Sequence, residues 1–125
     1  PEQLCVDDMT VPFREFSRPV LEAKVQVRPD LALHVYVAHL KSKRPLIPDG
    51  VDRRDPRELA TGEARSLLLR AAEANALRSI LLDRLEHRDD PVVTLGDLND
   101  THTSVTTRII SGQSPPRYWD RNLKI

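Results

Sequence analysis

The sequence predicts one α+β domain. Three patterns carry that prediction: two neighbouring runs in which apolar and polar residues alternate, a long stretch with apolar residues at helical spacing, and the short apolar run Val92-Val93-Thr94-Leu95. Its 125 residues suffice for one core and fall short of two ordinary domains, so residues 1–125 read as a single unit. In the first alternating run Leu21, Ala23, Val25 and Val27 interleave with Glu22, Lys24, Gln26 and Arg28, the period of a strand with one wet face. Pro29-Asp30 offers a turn. In the second run Leu31, Leu33, Val35, Val37 and His39 fall on one side, with Ala32, His34, Tyr36, Ala38 and Leu40 on the other. Two such runs joined by a short connection predict an antiparallel hairpin.

From Arg44 to Arg57 neither period is present, and a long loop of this kind inside a small domain is often functional. A helix is expected from about Glu58 to His87, because Ala60, Ala64, Leu67, Ala71, Ala74, Leu81 and Leu85 recur on one stripe. Arg78, near its middle, is expected to pack its stem and send its head to solvent. Asp89-Asp90-Pro91 ends that helix and opens a further, buried strand over Val92–Leu95. Beyond Ser111 the chain is Pro-rich and aperiodic, with Pro115-Pro116, Tyr118 and Trp119, and no internal repeat occurs.

Composition removes several function classes. Lys+Arg and Asp+Glu both count 19, so the overall charge gives no argument for a nucleic-acid partner. Locally, Lys41, Lys43, Arg44, Arg53 and Arg54 cluster after the second strand, as a phosphate-facing loop or, the commoner outcome, a solvated one. Cys5 is single, which rules out an intrachain disulfide. No apolar stretch approaches the ~20 residues of a membrane helix, and the first residues lack a signal-peptide pattern, which leaves localisation open.

The chemistry concentrates at two strand ends, where rigid elements aim reacting groups. Gly96-Asp97-Leu98-Asn99-Asp100 follows the last apolar run, and His39-Leu40-Lys41-Ser42-Lys43 follows the second alternating strand. Attack on a phosphodiester needs an activated water, stabilisation of the non-bridging oxygens and help for the leaving oxygen. Asp97 can orient or deprotonate the water. Asn99, two positions on in an extended segment, points the same way and can donate its amide to a phosphate oxygen. His39 can hold a phosphate oxygen as imidazolium or pass a proton. The structural alternatives are an Asp and Asn that form a turn with nearby backbone and a hydrogen-bonded strand-end histidine. His34, His87 and His102 read as surface or structural residues. A calcium loop starting at Asp97 fails, since His102 falls where glycine is required and Arg108 where the bidentate Glu belongs. HExxH, paired cysteines, a Walker loop and GxGxxG are all absent.

Taken together, these motifs resemble the endonuclease/exonuclease/phosphatase superfamily, the deoxyribonuclease I-like proteins. Gly96-Asp97-Leu98-Asn99-Asp100 resembles its Gly-Asp-Phe-Asn motif with Leu98 for the usual Phe, and His39-Leu40-Lys41-Ser42-Lys43 resembles its strand-end His motif in a form close to uncharacterised bacterial members. Phe16-Ser17-Arg18-Pro19 is similar to the segment in which an arginine reaches a substrate phosphate. The resemblance spans about Phe16 to Gly112. It implies a four-layer α/β/β/α sandwich, magnesium (or manganese) as cofactor, His39, Asp97 and Asn99 as catalytic residues with Asp97 also a metal ligand, and Asn99 and Arg18 as phosphate-binding residues.

Family members run to roughly twice this length. The pattern's N-terminal half, with an Asn strand end and a metal-binding Glu, and its C-terminal Ser-Asp-His segment have no counterpart in these residues. The expectation is therefore a partial domain: a metal-dependent phosphoester hydrolase, nuclease or phosphatase in type, acting by in-line water attack and incomplete as this chain. The alternative is a catalytically inactive piece that serves as a binding or assembly module. Partners follow from the same reasoning: a phosphoester substrate, nucleic acid included, and either a homo-oligomer or the remainder of the domain. Leu33, Val35 and Val37 with Leu21, Ala23, Val25 and Val27 form a face that needs covering. DNA, RNA, a phosphoinositide, a sphingolipid and a small phosphoester all stay open as substrates.

Overall fold

The computed structural model describes residues 4–6, 9–11, 14–87 and 90–112; Asp89, Pro115-Pro116, Tyr118, Trp119 and the side chain of His87 lie outside the described set. In chain order the elements are β1 (Leu4–Val6), β2 (Met9–Val11), β3 (Leu21–Arg28), β4 (Leu31–His39), α1 (Pro56–His87), β5 (Val92–Asp97) and α2 (Val105–Ser111). β1 and β2 pair antiparallel as a separate two-stranded ribbon. The main sheet has the order β3-β4-β5, with β3 antiparallel and β5 parallel to β4. The predicted α+β class is what the chain adopts.

The parallel pairing follows from α1. A strand returning in the same direction needs a long crossover, and α1 is that crossover. It begins two residues earlier than the apolar pattern suggests. Asp55 Oδ1 accepts the Arg57 N–H at 2.9 Å, and Pro56 occupies a first-turn position where its missing N–H is not needed. α2 is an addition that apolar periodicity missed. Ser104 caps it by accepting the Thr107 N–H, a local signal independent of any hydrophobic stripe.

The core lies between α1 and one face of β4: Tyr36, Ala38 and Leu40 meet Ala74, Leu77 and Leu81, with Ile110 of α2 and Leu98 completing the cluster. Two expectations are corrected here. Neither side of β3 is dry: Glu22 turns to the helix side, where Tyr36 donates to its Oε1 at 3.0 Å, yet its side chain stays 51% exposed, and Leu21 (61%), Val25 (46%) and Val27 (58%) are exposed as well. β5 is an edge strand rather than a buried one, with Val93 and Leu95 exposed beside them. The described residues thus form two layers, helices on one face of a sheet whose other face is open. No described helix is long and apolar enough to cross a membrane.

The buried stripe of α1 also differs from the predicted one. In its first half the covered positions are Gly62, Ser66, Arg70 and Glu73, continuing as Leu77 and Leu81 at the same helical spacing, whereas Ala60, Ala64 and Leu67 face out. Arg78 does not release its head to solvent: Nη1 donates to the Ile110 carbonyl at 3.1 Å and anchors α2.

Candidate active site

Register brings the two strand-end motifs together. β4 and β5 run parallel with Ala38 opposite Gly96 and His39 opposite Asp97, so both side chains leave the same edge of the sheet on its open face. His39 Nε2 lies 3.8 Å from Asp97 Oδ2, with side chains 45% and 63% exposed. Gly96 makes this register possible. Its φ of 127° is a left-handed conformation, and a Cβ there would stand 2.0 Å from the Ala38 carbonyl oxygen. The backbone pairing continues one residue further, Leu40 N donating to Asp97 O at 3.0 Å.

Asn99 is placed differently from the sequence expectation. The chain leaves extended geometry after Asp97, and Asn99 has φ 53°, so it does not repeat the direction of Asp97. Its N–H donates to Asp97 Oδ1 at 2.9 Å, and its Nδ2 donates across to the Leu40 carbonyl at 2.8 Å. Asn99 therefore fixes the Asp97 carboxylate from one side and ties the two strand ends from the other. Its Nδ2 carries a second hydrogen that another acceptor can use.

Cations also follow β4 in the chain. Lys41 Nζ donates to the carbonyls of Ser42 and Arg44, at 3.1 and 3.3 Å. Burial, then the positive charge of Arg70, lowers the Lys41 pKa, with Arg18 and Arg44 acting in the same direction and Glu73 opposing. Arg18 is thus close enough to Lys41 for their charges to interact. Arg53 and Arg54 sit exposed on the outer loop.

Several organising residues escaped the sequence reading. Asp100 is buried, with Lys43 Nζ 2.9 Å from Oδ1, Arg70 Nε 3.4 Å from Oδ2, and Thr106 donating to Oδ2 at 2.5 Å. The Thr106 hydroxyl foremost, with Lys43 and the Thr101 amide, holds the Asp100 carboxyl well below the usual carboxylate range against the opposing effect of burial. Glu73 is 0% exposed and accepts two backbone N–H groups, from Ser17 at 2.7 Å and Lys41 at 2.5 Å. Nearby, Ser66 donates to the Ser42 carbonyl at 2.6 Å. The signal that could have found them is the extension of the Leu77 and Leu81 stripe back through Glu73, Arg70 and Ser66, at helical spacing but with polar residues.

His34 is structural, as expected. It is buried between Glu22, 3.4 Å from Nδ1, and Asp90, 3.5 Å from Nε2, with Arg84 also in contact. His102 is exposed. Among the described residues no group of three or more His, Cys, Asp or Glu is arranged to hold a metal ion. Asp97 offers an outward carboxylate, but these residues do not by themselves fit a magnesium site. Comparison with protein-family models, curated proteins and solved structures returned no match.

Proposed function

We propose that the chain carries the His39 and Asp97 side of a phosphoester-hydrolase site of the endonuclease/exonuclease/phosphatase kind. One observation supports this reading above the others: two strand-end motifs 58 positions apart are in register on neighbouring strands, and their imidazole and carboxylate face each other at 3.8 Å. Turn formation accounts for the Asn99 to Asp97 hydrogen bond and not for the meeting with His39. In this reading Asp97, oriented by the Asn99 N–H, accepts hydrogen bonds from the attacking water. His39 contacts a non-bridging oxygen or the leaving oxygen. The charges of Arg18 and Lys41 offset the negative charge that builds on phosphorus-bound oxygens. The resemblance adds magnesium to this chemistry; the described residues supply Asp97 toward it, and no step here is routed through a metal. The open apolar face of the sheet is where a second sheet of the four-layer sandwich would pack.

Titration of the isotope-labelled chain with inorganic phosphate, followed by nuclear magnetic resonance, tests the reading. Saturable shifts centred on the His39 ring, the Asn99 side-chain amide and the Arg18 guanidinium are expected, and they vanish in His39→Ala. Shifts confined to the Arg53 and Arg54 loop, or unchanged in His39→Ala, would overturn it.

A second reading, a catalytically inactive binding or assembly module, is favoured by the open face itself. Leu21, Val25, Val93 and Leu95 are exposed apolar side chains on the open side of the sheet, bordered by Arg28, which pairs with Leu31 beyond the irregularity at Val27. Contiguous patches of this kind mark interaction sites.

A further inference from the structure

We infer that Glu73 is a positioning residue for the His39 and Asp97 pair, acting with Arg70 as a clasp on α1 that fixes three separate chain segments around the site. Glu73 has no exposed surface, and its two oxygens are committed to two backbone donors distant in sequence. The Ser17 N–H belongs to the segment that carries Arg18. The Lys41 N–H lies two residues beyond His39, immediately after the end of β4. One buried carboxylate thus sets the spacing between the Arg18 segment and the His39 strand end.

Arg70, one helical turn earlier on the same stripe, reaches the third segment. Its Nη1 approaches the Lys41 carbonyl at 3.4 Å and its Nε lies 3.4 Å from Asp100 Oδ2, in the loop that begins at Asp97. Lys41 is therefore gripped at both backbone groups, N–H by Glu73 and carbonyl by Arg70. A buried acid bonded only to backbone N–H groups recognises position rather than side-chain identity. That is the property a device for placing segments needs. Burying a carboxylate for structural stability alone is costly compared with apolar packing, and the neighbouring stripe positions Leu77 and Leu81 show that α1 packs apolar residues where it only needs a core.

This inference rests on reading His39 and Asp97 as one site, and its test does not require turnover or phosphate binding. In the full chain, Asp97→Asn is expected to move the His39 Nε2 nitrogen resonance, because the two groups are in contact. With Glu73→Gln, which offers one acceptor oxygen for two N–H groups, the Ser17 and Lys41 amides are expected to lose at least tenfold of their hydrogen-exchange protection. The response of His39 to Asp97→Asn falls below half its original size, while the His34 ring and the Leu77 and Leu81 amides keep their shifts. Glu73→Asp, with both acceptors on a shorter arm, is expected to restore part of that response. A folded Glu73→Gln protein with deprotected amides and an undiminished His39 response would overturn the inference and leave Glu73 a structural residue. Should neither variant fold, exchange in the original chain decides: Ser17 and Lys41 amides as protected as Leu77 support the clasp, and amides exchanging at open-loop rates remove it.

Discussion

On the face of β4 that α1 covers, His34 is almost fully buried and is held by Glu22, Asp90 and Arg84; five residues along, on the opposite face, His39 keeps about half its side chain exposed and meets Asp97. The same residue type on one strand is thus given two environments by the parity of its position alone. The covered face combines a small apolar cluster with buried polar ties, and removing one member of such a tie strands its partner. The open face is largely apolar between Arg28 near one end and His39 and Asp97 at the other. The buried ties therefore lie on the covered face, and the His39–Asp97 contact and the exposed apolar side chains lie on the open one.

The largest effect should come from breaking a tie on the covered side. In Asp100→Ala the buried Arg70 guanidinium loses its carboxylate, and Lys43 and Thr106 lose their acceptor. Breaking one side of a buried ion pair costs about 3–5 kcal/mol, a large share of a small domain's stability. Urea unfolding at neutral pH checks this, and a loss below about 1 kcal/mol would show the network to be ornamental.

Acid should act through the same residue. The folded-state pKa of Asp100 is depressed, so the folded protein binds fewer protons than the unfolded one between that value and the unfolded value of about 3.9. The contribution is complete above the unfolded value and is lost as pH falls toward the folded one. Glu22, lowered chiefly by the Tyr36 hydroxyl, acts in the same direction. Thr106→Val removes the foremost cause of the Asp100 shift and is expected to cost about 1.5–3 kcal/mol at neutral pH. The variant's stability should also fall less steeply as pH falls from about 5 toward about 2. Equal acid slopes for the two proteins would place the acid sensitivity elsewhere.

Much of this architecture is legible in the sequence, and the limits have physical causes. Strands with strict alternation and a strand end marked by Gly96-Asp97 are local patterns, so the hairpin, the helix and the two site motifs can be read directly. Which face of the hairpin is covered cannot, since both sides of β4 carry apolar residues, and the decision falls to the helix that docks on Tyr36 and Ala38. Glu73 and Arg70 stay hidden because an apolar search discards a stripe once it turns polar, and their partners lie 56 and 32 positions away for Glu73 and 29 for the Lys41 carbonyl of Arg70. The direction of Asn99 is hidden because its positive φ, which the sequence pattern does not mark, takes the chain out of extended geometry after Asp97.

The open face should be more sensitive to concentration than to mutation. Covering Leu21, Val25, Val27, Val93 and Leu95 is favourable by roughly 1.5–3 kcal/mol per large side chain fully buried, so the chain is expected to self-associate at high micromolar concentration. Leu95→Lys should abolish association while changing the stability of the dilute protein by no more than about 0.5 kcal/mol, as for other exposed positions. Sedimentation velocity across a concentration series separates the outcomes. A compact monomer that binds no hydrophobic dye would mean this face needs no partner.

The smallest effect on folding, and the sharpest form of the comparison between the two histidines, is expected at His39. Its contact with Asp97 is a single exposed one at 3.8 Å, and exposed ion pairs of this kind contribute about 0–1 kcal/mol. His39→Ala should therefore leave stability within about 0.5 kcal/mol of the parent. His34→Ala empties a buried position among Glu22, Asp90 and Arg84 and should cost about 2–4 kcal/mol. Turnover is a separate matter. With no three-residue metal cluster around Asp97 among the described residues, this chain is expected to hydrolyse bis-p-nitrophenyl phosphate negligibly even with magnesium, because a site holds its rate only when its members act together. Robust magnesium-dependent turnover abolished by Asp97→Ala would show that the groups at these two strand ends suffice for catalysis. A His39→Ala variant as destabilised as His34→Ala would show that both faces of β4 serve folding and that the division between them is false.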